Sequence, residues 1–380
     1  MNLKVASCPD EQLTGSGRKL KLSVRSATKV HGNVVALDNA TFDLFEGEFL
    51  TLLGPSGSGK TTLLMLVAGL SEPTAGEIWI DGKLATYAPP HLRDLGMVFQ
   101  NYALFPHLTV RENVAFPLRM RGISHEEIDD QVMRALRTVQ LEHTADRRPR
   151  NLSGGQQQRI ALARCFVYRP SIILMDEPLG ALDRKLRDRM QVEITQLHRE
   201  LGITVLYVTH DQDEAMAMSD RICLMNEGKI EQVGEPEELY FRPQSIFVAD
   251  FIGDSNLIEV TVESNALDGS CRVAGPDGVH LISARSDRCG VGAKACLIVR
   301  PERIRILGPS DAAANSLRGI TREVLFVGSQ YKYCVELANG ARIWGKQPSS
   351  DGGPRPMPEQ KLVVGWDAAD CVVLSESAQR

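Results

Sequence analysis

Gly54-Pro55-Ser56-Gly57-Ser58-Gly59-Lys60-Thr61, with Thr62 behind it, follows an apolar run, Phe49-Leu50-Thr51-Leu52-Leu53, and opens another with helical spacing at Leu63, Leu64, Leu66, Val67 and Leu70. Strand, glycine-rich loop and helix in that order are the context in which a G-x-x-x-x-G-K-[ST] match becomes a phosphate-binding loop. The glycines let backbone N–H groups turn inward around phosphates, and the helix start adds the positive end of its dipole. Lys60 is spaced to reach the β- and γ-phosphates of a nucleotide, and the Thr61 hydroxyl to ligate Mg²⁺. A turn that merely joins strand to helix is the plain alternative, and lysine followed by threonine at this spacing argues against it.

The 380 residues are enough for two domains, at most three, each with its own core. Composition is that of an ordinary globular protein, 43% hydrophobic and 24% charged with a net charge of −5, and no basic excess or long charge block points to nucleic acid. No apolar run approaches the roughly 18–20 residues that span a bilayer. Leu63 to Leu70 is the longest, and Ser71-Glu72-Pro73 stops it. Residues 1–19 are polar, lack the apolar core of a signal peptide and read as a disordered tail. Eight cysteines lie at 8, 165, 223, 271, 289, 296, 334 and 371 with no C-x-x-C pair, which disfavours zinc and dithiol redox chemistry and fits a reducing cytoplasm.

Along the chain, Leu20 to Val30 and Val34 to Leu44 read as strands, as do Gly76 to Ile80 before the Asp81-Gly82 turn and Leu95 to Phe99, which ends at Gln100. From Asn101 the pattern becomes helical, with Ser124-His125-Glu126-Glu127 as a capping box and Ile128, Val132, Leu136 and Val139 on one face, so that about 101–155 reads as a helical insert. Ser153 and Gly154-Gly155 open a helix with free N–H groups, and Ile160, Ala161, Ala163, Phe166 and Val167 continue it until Pro170. Ile172-Ile173-Leu174-Met175 reads as a strand buried on both faces, with Asp176 and Glu177 at its end, and Thr204 to Val208 as another that leads into Thr209-His210. Arg221–Met225 and Lys229–Val233 flank a hairpin turn at Asn226-Glu227-Gly228. The core so described spans 20–250. From 255 to 380 short alternating segments between Gly, Asn, Asp and Pro predict a small all-β domain, barrel-like or a small sandwich, with Asn339-Gly340 as a hairpin turn.

A phosphate loop alone fits kinases, GTPases, helicases and transport ATPases. The discriminating segment is Leu152-Ser153-Gly154-Gly155-Gln156-Gln157-Gln158-Arg159, just before the strand that ends in Asp176-Glu177. With Gln100, Ala181-Leu182-Asp183 and His210 in the same order, the chain resembles the ATP-binding subunit of an ATP-binding-cassette (ABC) importer over nearly its whole length after the tail. The fold so implied is an α/β P-loop NTPase domain with a helical insert, followed by an OB-like all-β regulatory domain, to which Val299-Arg300-Pro301-Glu302 also belongs. The resemblance implies Glu177 as general base and His210 as the group that holds the attacking water, with the γ-phosphate as its hydrogen-bond partner. Read alone, Glu177 would be a charge at a helix start and His210 a cap for the helix from Asp211.

The same resemblance implies Thr61, Gln100 and Asp176 around Mg²⁺, and ATP held by Gly54, Pro55, Ser56, Gly57, Ser58, Gly59, Lys60, Thr61 and Thr62. It implies that Ser153, Gly154, Gly155 and Gln156 complete the site of a second copy in a head-to-tail homodimer. The family usually has an aromatic residue stacked on adenine where this chain has His31, in Val30-His31-Gly32. Imidazole is a smaller platform, so part of the ~1–3 kcal/mol of base stacking is missing, and a plain turn residue is the other reading of His31. Since no segment spans a membrane, the importer resemblance implies a separate integral-membrane permease docked on Gln100 to about Met120. It also implies an extracytoplasmic solute-binding protein as an indirect partner, and a peripheral place at the cytoplasmic face of the inner (plasma) membrane. The aromatic-rich stretch Asn101 to Val110 suits that surface, or equally local packing of the insert.

Phe99 to His107 and Phe251-Ile252-Gly253-Asp254 most resemble spermidine/putrescine importers; ferric iron, sulfate and sugars are the other solutes of such ATPases. From Ser255 onward 15 Lys+Arg stand against 14 Asp+Glu, too little for a groove that tracks nucleic acid. A soluble ABC ATPase of translation or DNA repair is the competing class, and its usual second cassette or long insert is missing from this sequence.

Overall fold

The computed structural model describes residues 18–180, 182–286, 289–349 and 355–375; the expected tail up to Gly17 and Ala181 of the Ala-Leu-Asp run lie outside the described residues. Two units divide the chain, Met1–Pro236 and Glu237–Arg380. The first runs β1 (Leu20–His31), β2 (Val34–Phe45), β3 (Phe49–Leu53), α1 (Lys60–Ala68), β4 (Ala75–Ile80), β5 (Lys83–Leu84) and β6 (Leu95–Val98). It continues with α2 (Val110–Met120), α3 (His125–Thr138), α4 (Gly154–Phe166), β7 (Ile172–Asp176), α5 (Arg184–Leu201), β8 (Val205–Thr209), α6 (Gln212–Met218), β9 (Arg221–Asn226) and β10 (Lys229–Gly234).

Strands β9, β3, β8, β7 and β6 are parallel neighbours in one sheet, with β10 antiparallel at its edge. Alternation sorts their side chains. Leu50, Leu52, Ile172, Leu174, Leu206 and Val208 enter one core with α1 and the antiparallel sheet β2-β1-β4-β5. Phe49, Ile173, Met175, Val205 and Tyr207 enter the other, with residues of α4 and α5. Helices α2, α3 and α4 share a third cluster built on Val114, Leu118, Val132, Leu136 and Ile160.

Helix α4 starts at Gly154, as the Ser153-Gly154-Gly155 opening implies, with Ser153 and Gln156 in a full reciprocal capping box and Gly155 packed against Leu186 of α5. Two local features depart from sequence expectation. At the expected box, Ser124 Oγ accepts from Glu127 N at the start of α3, while the reciprocal pair forms at Thr109 and Glu112. Helix α5 is not among the elements expected above, although Leu186, Met190, Ile194, Leu197 and Leu201 follow helical spacing. Met190, Ile194 and His198 are buried on its 18 residues, with Asp183 as N-cap and left-handed Gly202 as C-cap.

The second unit begins in α7 (Pro236–Phe241) and α8 (Ile246–Phe251) and continues with β11 (Asn256–Asn265), β12 (Cys271–Ala274), β13 (His280–Ser283), β14 (Lys294–Val299), β15 (Arg305–Ile306), β16 (Asn315–Phe326), β17 (Gln330–Leu337), β18 (Arg342–Pro348), β19 (Lys361–Trp366) and β20 (Cys371–Ser375). Two five-stranded antiparallel sheets, β13-β12-β11-β14-β20 and β15-β19-β16-β17-β18, enclose one core around Trp366 and Tyr333. The outer face of the first, at Cys296, Ile298 and Leu374, is covered by Ala249 and Ile246 of α8. The expected hairpin at Asn339-Gly340 joins β17 to β18, with Gly340 at φ 83°.

Candidate nucleotide site

The loop 54–59 can lie where it does only because two of its positions lack a Cβ. A methyl on Gly54 would stand 2.1 Å from the Met225 carbonyl oxygen, and one on Gly59 (φ 95°) 2.6 Å from that of Ala36. The loop is therefore pressed between β9 and β2. Lys60, buried at the first position of α1, donates from Nζ to Gly54 O and Pro55 O, both at 2.8 Å, and to Ser58 Oγ at 3.3 Å. Burial pulls the Lys60 ammonium below its usual pKa, and the charges of Glu177 and Asp176 push it back up. Both carboxylates thus face the loop lysine. The backbone N–H groups of the first turn of α1 have no carbonyl partner inside the helix and no acidic side chain beside them.

The parallel register sets the rest of the site at the same sheet edge. Leu53 pairs with Thr209 and Asp176 with Val208, so the ends of β3, β8 and β7 stand side by side. That edge is where open α/β sheets bind ligands. Asp176 Oδ1 is buried with no hydrogen-bond partner among the described residues. Burial, then the Glu177 charge, raise the pKa of Asp176 against the opposing pull of Lys60. Glu177 sits at φ 43°, with its N–H donating to Val208 O at 3.0 Å. A left-handed glutamate costs about 1–3 kcal/mol and persists where its surroundings hold it. Its Oε1 lies 3.2 Å from His210 Nδ1. A methyl placed on Gly180 would be 3.9 Å from Gln100 Nε2 and 4.0 Å from Glu177 Oε2, so Gln100, remote in sequence, and Glu177 both border Gly180.

Behind His210 lies a network that sequence reading missed. Glu214, on α6 and 2% exposed, accepts at Oε2 from Tyr207 OH at 2.8 Å and from Thr209 Oγ1 at 2.7 Å. Arg187 of α5 pairs with Asp211, the N-cap of α6, at 3.1 Å and stands 3.7 Å from Glu214. A glutamate four residues after the histidine was the available signal, yet burial could not be read from it. Burial raises the Glu214 pKa above its usual value, against the pull of its hydrogen bonds to Thr209 and Tyr207. Its ionised form therefore opposes folding: the stability it contributes is complete at low pH and declines as pH rises through the folded pKa. Glu214→Gln keeps an acceptor for both hydroxyls, and its melting temperature is expected to rise relative to the parent from about pH 4.5 to 7. Glu214→Ala orphans both hydroxyls and is expected to lose about 1–3 kcal/mol. Melting curves across that range decide; parallel pH profiles for parent and glutamine variant would refute the first expectation.

Two predicted groups are not joined to the loop by any hydrogen bond or ion pair among the described residues. Ser153 and Gly154 are exposed, and Ser153 Oγ accepts from Gln156 N at 3.4 Å while Gln156 Oε1 accepts from Ser153 N at 3.1 Å. A methyl on buried Gly155 would stand 3.3 Å from Leu186 Cδ1, so α4 and α5 approach closely there. His31 is exposed at the end of β1, paired with Val34. Pro55, Ser56, Gly57, Thr61 and Thr62 stand in or beside the loop, with Thr61 exposed.

A phosphate loop, a carboxylate pair and a histidine on adjacent strand ends, with a solvent-facing Ser-Gly-Gly-Gln turn on a separate helix, define an ATPase of the ATP-binding-cassette class. The pattern of the ABC transporter family matches residues 37–180, and that of the TOBE domain residues 297–374. The spermidine/putrescine import ATP-binding protein PotA of Trichodesmium erythraeum is 43% identical over 94% of this chain and 96% of its own. Its namesake in Rubrobacter xylanophilus is 44% identical over 94% of each. A solved dimer of the ATP-binding cassette MJ0796, in a post-hydrolysis state bound to ADP and Pi, is 36% identical and covers 57% of this chain and 98% of its own with a TM-score of 0.50. The chain belongs to the ABC transporter family, among the ATP-binding subunits of importers of the spermidine/putrescine group.

Proposed function

We propose that two copies of this chain, arranged head to tail, hydrolyse ATP at two shared sites and drive polyamine uptake through a separate integral-membrane permease at the cytoplasmic face of the membrane. The observation that carries the hydrolytic part is the Glu177–His210 pair set opposite Lys60. Glu177 takes the proton of the attacking water, a role worth about 10²–10⁴ in rate. With a proton on Nδ1, His210 donates to Glu177 and fixes the carboxylate. The same ring reaches a γ-phosphate from Nε2 only as imidazolium or through water. Lys60 turns from the loop carbonyls to the phosphates, and the N–H groups at the start of α1 receive the remaining negative charge.

The residues present suit Mg²⁺. Asp176 Oδ1 is buried and without a partner, and with the Thr61 hydroxyl and the Gln100 amide oxygen it makes the all-oxygen set that a hard cation takes. Bound there, the ion would neutralise charge on the β- and γ-phosphates. The exposed Ser153-Gly154 turn, free of the chain's own loop, supports the head-to-tail pairing, as does the dimeric cassette of related sequence. The names of the two full-length relatives support a polyamine as solute. Among the described residues no helix is long and apolar enough to cross a membrane, which agrees with a separate permease.

The test is uptake of radiolabelled spermidine and putrescine by cells with and without the gene, complemented by the parent or by Lys60→Ala. Restoration by the parent alone is expected. Normal polyamine uptake in the deletion strain, with loss of sulfate, ferric iron or sugar uptake instead, would overturn the choice of solute.

A further inference from the structure

Between Gln100 and α2 the backbone makes two consecutive left-handed residues that are not glycine, Tyr102 at φ 60° and Ala103 at φ 43°. Ala103 N donates to Asn101 O at 2.7 Å, which centres on Tyr102 a γ-turn of the rare, strained hand. Such a segment persists only where its surroundings over-determine it. Arg164, in the last turn of α4, donates from Nη1 to Ala103 O at 2.7 Å and from Nη2 to Tyr102 O at 2.8 Å. Its guanidinium also lies 5.6 Å from the centre of the Phe105 ring. The fork geometry of arginine matches two carbonyls at once, where lysine reaches one at a time. Wholly buried Asn113 holds the far end of the loop, with Oδ1 accepting from Phe105 N at 2.8 Å and Nδ2 donating to Thr109 O at 2.9 Å.

One helix therefore carries the Ser153 turn at its start and the clamp on the Gln100 loop at its end. We infer that Arg164 is a positioning residue for hydrolysis: it holds the strained Tyr102–Ala103 turn so that Gln100 keeps its place beside Gly180, three residues after Glu177, and it makes α4 move with that loop. Occupancy at one nucleotide is thereby felt at the turn that serves the other. The inference rests on the ATPase reading above.

The experiment uses the full-length chain and compares Arg164→Ala, Arg164→Lys and the double variant Arg164→Ala with Ala103→Gly. For each, kcat and KM for MgATP, affinity for a non-hydrolysable ATP analogue and melting temperature are measured. Arg164→Ala is expected to lower kcat roughly a hundredfold, the penalty of a misplaced catalytic group, with analogue affinity within about twofold of the parent. Lysine should recover part of that loss. Glycine at 103 should also recover part, since it adopts positive φ without the clamp. If Arg164→Ala yields no folded chain, the same comparison is made on Arg164→Lys, where Ala103→Gly must raise kcat. A kcat for Arg164→Ala within about twofold of the parent, or a loss that neither rescue changes while the melting temperature falls, would overturn the inference. A parent chain that hydrolyses no ATP would sink the ATPase reading itself, and the unsubstituted control tells the two failures apart.

Discussion

Glu177→Gln is expected to cut kcat by about 10²–10⁴ while ATP affinity stays within a few-fold of the parent. The amide keeps the size of the side chain and still offers His210 an oxygen, but it cannot take a proton from water. On the proposed reading the groups that would hold the phosphates are elsewhere: the loop shaped by Gly54 and Gly59, buried Lys60, and the start of α1. ATP then binds and is not consumed, and the ATP-bound dimer accumulates by population shift. Gel filtration with MgATP should move the variant to twice its monomer mass, while the parent passes through that state transiently. Elution as monomer alone, at ATP well above its dissociation constant, would break the link between nucleotide and pairing.

The second large effect concerns Ser153. In dimers of one parent copy and one tagged copy carrying Ser153→Arg, nucleotide trapped by vanadate and read with photoreactive 8-azido-ATP should vanish from the parent copy and remain on the tagged one. A guanidinium-tipped side chain at the start of α4 replaces a small hydroxyl and removes the acceptor for Gln156 N. No hydrogen bond or ion pair among the described residues joins Ser153 to residues 54–61 of its own chain. The loss is expected to exceed tenfold, the scale of a lost anion-binding donor set in a closed site. Label lost from the tagged copy, with the parent copy spared, would mean that each chain completes its own site and that the head-to-tail arrangement is wrong.

How much of this was open to reading follows from how local each feature is. The phosphate loop depends on eight successive residues, and glycine and lysine there have few alternative uses. Strands β3, β7 and β8 are continuous apolar runs because helices or a second sheet cover both faces. The hairpin at Asn339-Gly340 is specified by two residues whose φ requirement is explicit. Helix α5 carries an apolar stripe at Leu186, Met190, Ile194, Leu197 and Leu201, and it was legible though set among many charges. The start of α4 was legible in Ser153-Gly154-Gly155 although glycine is a poor helix former; a reciprocal cap and packing against Leu186 outweigh that propensity. Glu214, Arg187 and Arg164 look like surface charges until their partners are known.

Sequence alone determined the phosphate-binding strand–loop–helix, the order of the nucleotide motifs and the change from an α/β to an all-β chain, because each is written in neighbouring residues or in a short hydrophobic period. Tertiary structure alone decided that Glu177 meets His210, that Gln100 and Glu177 both border Gly180, that Glu214 underpins Thr209, and that one arginine late in α4 grips a strained turn 62 residues away. Those pairings depend on the register of parallel strands and on helices crossing over them. A chain can place such groups within hydrogen-bond reach only after its cores have closed, when distance along the sequence no longer limits which side chains meet.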